Sequence, residues 1–119
     1  LIRRKAIEKV LSHGVSEFLF PFRIHSQFTV LHESHVRVAF GVPKRHFKNA
    51  VDRNLLKRRI REAYRTRKHD LCDLCKQYSI AMDVFLIYVA DDILSFSEID
   101  KKMQGVIQIL IGLINEKTS

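Results

Sequence analysis

The chain has 119 residues, enough for one domain with one core. Hydrophobic residues make up 46% of it, an ordinary globular share, and no apolar run approaches the roughly 18 residues of a membrane span. Against 13 Asp and Glu stand 21 Lys and Arg, a net charge of +8 that turns attention from acidic to polyanionic partners.

In chain order, the first element reads as a helix. Ile2, Ala6 and Val10 recur at four-residue spacing, Ile7 and Leu11 join them, and Gly14 supplies a stop. Arg3, Arg4, Lys5 and Lys9 occupy its other sides. The stretch from Leu1 to Gly14 lacks the layout of a signal peptide, which predicts a cytoplasmic protein, and a start at Leu1 predicts a trimmed form of it. From Phe18 to Leu31 the apolar Phe22, Ile24, Phe28 and Val30 alternate with Arg23, His25, Gln27 and Thr29, the period of a half-buried strand. A turn is expected over residues 32–35. Val36, Val38, Phe40 and Val42 then start a second alternating strand that Pro43 ends, with Arg37 on its other face.

A helix follows, with Asn49 as N-cap and Asp52 near the positive end of the dipole, running to Lys68 and extendable to Lys76. Residues 79–90 are apolar on both parities, which marks a central strand covered on both faces. Ser95 and Glu98 form a capping box ahead of Ile99, Met103, Val106, Ile107, Leu110, Leu113 and Ile114, a long amphipathic helix. With no repeat or Pro/Gly-rich linker, the expectation is a single α+β domain over residues 1–119. It is an α/β sandwich of helix, two or three strands, helix, strand and helix, with the helices on one side of a mixed sheet.

The positive charge is confined. Residues 44–68 hold eleven basic and two acidic side chains, so this segment carries +9 and the rest of the chain −1. At about 100° per residue, Arg53, Lys57, Arg61, Arg65 and Lys68 share one arc of roughly 120°, with Asn54 inside it and Arg58 at its margin. Leu56, Ile60, Ala63 and Tyr64 form the opposing stripe. A merely solvated helix gains from mixed charges at i,i+4, whereas here like charges repel along the whole stripe. Arginine, which grips phosphate with two parallel hydrogen bonds, predominates over lysine. The packing partners offered by the strands argue against a membrane-surface helix, and no helix-turn-helix pattern supports DNA. Nucleic acid is the expected partner.

Cys72 and Cys75 form a C-x-x-C with only His69 at comparable spacing, one ligand short of a zinc site, and are read as ordinary helical thiols. No histidine pair or paired-carboxylate constellation suggests catalysis by the protein, although six histidines keep a protein nuclease among the rivals.

The run Ala50-Val51-Asp52-Arg53-Asn54-Leu55-Leu56-Lys57-Arg58-Arg59-Ile60-Arg61-Glu62-Ala63-Tyr64-Arg65 resembles the signature of the ribonuclease P protein component. Val42-Pro43-Lys44-Arg45, the Asp83–Val89 strand and the Leu1–Gly14 helix resemble its flanking features, so the likeness covers nearly the whole chain. It implies a fold with an unusual left-handed βαβ crossover. It also implies a non-catalytic subunit that assists a catalytic RNA in removing the 5′ leader of precursor tRNA. The resemblance places Mg2+ with the RNA and no cofactor on the protein. By position, Arg53, Asn54, Lys57, Arg58, Arg61 and Arg65, with Lys44, Arg45 and Lys48 beside them, match the catalytic-RNA site. Ile7, Leu11, Phe22, Arg23 and His25 fall where the family builds its leader cleft, flanked by Arg3 and Arg4. Two departures stand out: Ile7 and Leu11 occupy positions that are commonly aromatic, and Val89 one that is usually arginine. A ribosomal-type RNA-binding protein of similar fold is the rival from another functional class.

Overall fold

A computed structural model of the chain describes residues 8, 10–12, 14–30 and 34–118, without the side chains of 29 and 30. Residues 8 and 10–12 are helical, and the Gly14 amide donates to the Val10 carbonyl at 2.9 Å. Glycine is required at 14 by proximity rather than by a left-handed turn. A Cβ there would run into the carbonyl oxygens of both Val10 and Ser26, while no described glycine has positive φ.

Four strands form one sheet in the order β1-β2-β4-β3: β1 Val15–Leu19, β2 Phe22–Val30, β3 His35–Gly41 and β4 Ile80–Tyr88. β1 and β4 each run antiparallel to β2, and β3 runs parallel to β4. The single strand expected from Phe18 to Leu31 is thus a hairpin turning at Phe20 and Pro21. The strand expected to be central is central, with β2 and β3 on its two sides.

Three helices follow from the sequence signals. α1, Ala50–Arg67, starts at Asn49, whose side-chain oxygen accepts from the Val51 amide at 2.9 Å. The helix does not run on to Lys76. It stops at Lys68, and α2, His69–Tyr78, begins at once and buries Leu71 and Cys75. Ser79 closes α2 in the left-handed conformation at φ 54°, its N–H reaching the carbonyls of Cys75 and Lys76. α3, Phe96–Thr118, has the expected capping box: the Glu98 amide donates to Ser95 Oγ at 3.2 Å, and that hydroxyl lies 3.1 Å from Glu98 Oε1.

The core lies between these helices and one face of the sheet. Phe22 and Ile24 of β2 and Met82, Val84, Leu86 and Tyr88 of β4 meet Leu56 and Ile60 of α1, Leu71 of α2, and Ile99, Met103, Val106, Leu110 and Ile114 of α3. Val36, Val38 and Phe40 close it along β3. The Tyr88 hydroxyl donates to the Asp92 carbonyl at 2.6 Å and accepts from the Leu94 amide at 3.2 Å, fixing the turn that leads into α3. Alternate residues of β2, β3 and β4 are therefore committed to the helices, and among the described residues the intervening ones form a second, open face.

Candidate nucleic-acid interface

The basic helix is held rigidly. Leu56, Ile60 and Ala63 are fully buried, and the Tyr64 ring meets Phe40 of β3 edge-on at 5.8 Å. This rotation fixes which cations face outward, and hydrogen bonding then divides them.

Four arginines of the segment are engaged by protein carbonyls or carboxylates. One Arg53 nitrogen donates to the carbonyls of Phe47 (2.7 Å) and Lys48 (3.0 Å), clamping the loop of residues 43–49 onto the helix. Arg59 donates to the Leu94 carbonyl at 2.6 Å. Arg67 and Asp100 form a two-pronged pair with both bonds at 2.9 Å, and those bonds hold the Asp100 carboxyl below the usual range. Arg65 grips Glu62 at 3.1 and 2.6 Å on the exposed surface and lowers that carboxyl in the same way.

Lys44, Lys48, Lys57, Arg58, Arg61 and Lys68 have no acidic partner among the described residues, and Arg45 donates to His46 Nε2 at 3.3 Å. Arg58, Arg61 and Asn54 are exposed on α1, and Lys44, Arg45 and Lys48 are exposed on the loop before it. His46 in turn meets Asp91 at 2.6 Å. The nine residues assigned to the catalytic RNA thus lie on one continuous loop and helix. Seven of them face solvent without an acid, while Arg53 is a structural clamp and Arg65 is shared with Glu62.

The open sheet face is built in rows. Phe18, Arg23, Ile87 and Gly41 stand side by side across β1, β2, β4 and β3, and the next row holds Ser16, His25, Phe85 and Ala39. Beyond it lie Gln27, Asp83 and Arg37, where Arg37 grips Asp83 through two bonds at 2.7 and 2.8 Å and His35 Nε2 approaches the same carboxylate at 3.5 Å. Arg23 and His25 are on this face. Leu11 is 47% exposed. Arg3, Arg4 and Ile7 lie outside the described residues.

Phe22 is corrected. Its ring is fully buried on the helix side, 6.2 Å from Tyr88 and edge-on to it, so it cannot touch a ligand on the open face. Phe18 and Phe85, which the sequence reading did not single out, share this face with Arg23 and His25. The parity of Asp83, Phe85 and Ile87 along β4 would have placed Phe85 opposite His25.

The C-x-x-C is not bridged. Cys72 and Cys75 are free thiols, and burial pushes the Cys75 thiol up to about 11. Among the described residues no three His, Cys, Asp or Glu side chains gather as a metal cage.

A family model described as ribonuclease P matches residues 1–110. A curated ribonuclease P protein component from Porphyromonas gingivalis strain W83 is 32% identical over 108 residues, covering 87% of this chain and 77% of that protein. One from Nitrosococcus oceani is 44% identical over a shorter stretch of 48 residues, 37% of this chain and 40% of that protein. The solved RNase P protein of Staphylococcus aureus superposes with a TM-score of 0.70 at 24% identity, covering 92% of each chain. That of Thermotoga maritima gives 0.67 at 20% identity, over 90% of this chain and 93% of its own. The fold matches theirs, and the family model spans all the elements just described except the end of α3: the chain belongs to the ribonuclease P protein component family.

Proposed function

We propose that this chain is the protein subunit of a ribonuclease P holoenzyme: it binds the catalytic RNA through α1 and the loop before it, receives the 5′ leader of precursor tRNA on the open sheet face, and assists leader removal. The observation that carries the reading is the division of the basic segment. Its internal hydrogen bonds consume Arg53, Arg59 and Arg67, yet Lys57, Arg58, Arg61, Lys44, Arg45 and Lys48 remain on one side with no acid to neutralise them. A folded protein retains such like-charge crowding when a polyanion relieves it.

In this reading the chemistry belongs to the RNA, whose magnesium ions activate water and stabilise the leaving oxygen. The protein's residues bind and orient. Lys57, Arg58 and Arg61 engage phosphates, Asn54 offers an amide to a sugar or phosphate, and Arg23 and His25 meet the single-stranded leader. No described helix is long and apolar enough to cross a membrane, and we assign no membrane or DNA partner.

Reconstitution tests the proposal. The chain is combined with a bacterial ribonuclease P RNA at low magnesium, and precursor-tRNA cleavage at the mature 5′ end is followed. Restored cleavage, with none from RNA-free protein, is expected. Tight RNA binding without restored cleavage would favour a ribosomal-type structural role. Sustained cleavage by the protein alone would move the chemistry onto the chain.

A further inference from the structure

Two phenylalanine rings stand on the open sheet face outside the core. Phe18 on edge strand β1 is 56% exposed, and the Arg23 guanidinium carbon lies 5.8 Å from its ring centroid. The two are register partners, so their side chains emerge together. Phe85 on β4 is partly exposed, and its ring reaches over β3. A Cβ built on Gly41 would come within 3.1 Å of its Cε1 and Cζ atoms. The glycine leaves room for the ring to lie across the neighbouring strand.

Arg23 and His25 of β2 stand between the two rings, paired with Ile87 and Phe85 respectively. Burial and the charge of Arg23 lower the His25 pKa, so near neutral pH His25 presents a flat, uncharged imidazole. With strands about 4.8 Å apart, Phe18 and Phe85 are separated by roughly 10 Å across the sheet and by one row along it. One exposed aromatic residue is ordinary on a protein surface. Two on one face, flanking a guanidinium and an imidazole, form a patterned surface.

We propose that Phe18 and Phe85 are stacking platforms for two unpaired bases of single-stranded RNA, with Arg23 between them neutralising the connecting backbone. The inference rests on the reading of this face as the leader site, and names the residues that grip the leader there. Unpaired bases fit because their π-faces are available, whereas those of a duplex are already covered. A peptide fits less well: Arg23, His25 and Gln27 make the floor polar, where an apolar helix would need a greasy groove.

The test uses the reconstituted holoenzyme and measures affinity for precursor and mature tRNA. Phe18→Leu and Phe85→Leu keep apolar bulk but remove the π-face. Each is expected to weaken precursor binding between about fivefold and a hundredfold, the range for loss of one stacked base, with mature-tRNA affinity unchanged. Phe18→Trp should keep wild-type affinity. A precursor carrying abasic sugars along its leader should bind the wild-type holoenzyme as weakly as the Leu variants do, an arm that requires no altered protein to fold. Should Phe18→Leu and Phe85→Leu bind the normal leader as wild type does while Arg23→Ala weakens it, stacking is overturned and the leader site stands. Should removal of the whole leader leave affinity unchanged, the leader reading falls, and stacking with it. A leader-independent loss in both variants, seen equally with mature tRNA, would assign the rings to a contact with the catalytic RNA or another macromolecule and would also overturn the proposal.

Discussion

Arg61 and Arg65 occupy equivalent places on the outer arc of α1, yet the structure makes them unequal. Arg61 is exposed and has no acidic partner among the described residues, whereas both prongs of Arg65 are engaged by Glu62 at 3.1 and 2.6 Å. Each phosphate contact contributes a slope of about 0.9 to the dependence of log affinity on log salt for a duplex, and about 0.7 for a single strand. Losing one contact therefore removes about a threefold change in affinity between roughly 50 and 200 mM salt. Arg61→Gln is expected to lower the slope by that full increment. Arg65→Gln should lower it by less than half as much, because its charge is already balanced on the surface. Glu62→Gln should steepen the slope and tighten binding modestly, since a solvent-exposed pair is weak and its loss releases Arg65 for phosphate. Titration of labelled catalytic RNA with each variant across a salt series, with circular dichroism to check the fold, reads all three. Equal slope losses for Arg61→Gln and Arg65→Gln, with no effect of Glu62→Gln, would refute the division of the stripe into engaged and available cations.

Other consequences concern the scaffold. Gly14→Ala places a methyl group against two carbonyl oxygens that belong to backbone, and is expected to cost stability at or above the upper end of the ~1–3 kcal/mol typical of overpacking, seen as a lower urea midpoint. Ser26→Ala removes a fully buried hydroxyl that has no hydrogen-bond partner, and should stabilise the fold by about 1 kcal/mol in the same assay. Cys75, 1% exposed and with its thiol pushed up to about 11, should resist alkylation at pH 8 in the native protein and react once denatured. Because Arg67 holds the Asp100 carboxyl below its ordinary value of 3.8, their pairing stabilises the fold fully above that value and loses its effect as pH falls through the lower folded value. Asp100→Asn should thus cost under about 1 kcal/mol near neutrality and nothing in strong acid, read from denaturation midpoints along a pH series.

Local chemistry carried most of the architecture. Asn49, the Ser95 and Glu98 pair, and the two-parity apolar run of β4 each leave a mark that no tertiary contact overrides. The hairpin was hidden because Phe18, Phe20 and Phe22 share one parity, so alternation runs unbroken through the turn and only Pro21 marks it. The break at Lys68 has neither Gly nor Pro. It is imposed by the burial of Leu71 and Cys75, which packing alone decides. At the site, a helical wheel places every cation on its arc but cannot say which ones the protein uses itself. Arg53 is turned back by carbonyls of a loop whose path the sequence does not specify. Glu62, three residues before Arg65, was a visible sign of the pair. Phe22 could have been placed from parity, since it shares the side of Ile24 and Ser26, which point inward. A family position outweighed that alternation, and the alternation was correct.

The topology explains why the two surfaces proposed for RNA sit where they do. Parallel pairing of β3 with β4 requires a crossover, and the crossover here is made by α1 and α2, so the basic helix must pack on the helix side of the sheet. The contact between Tyr64 and Phe40 rolls that helix until its basic arc looks outward past β3, an edge strand. Lys44 and Arg45 follow Gly41 within four residues, and Gly41 closes the row that begins at Phe18. The row from Phe18 through Arg23, Ile87 and Gly41 holds no acidic side chain, and the basic loop and helix follow it in the chain. The core anchors α1 and the sheet fixes Arg23, so in the proposed function the energy of binding RNA goes into holding it rather than into ordering these two surfaces.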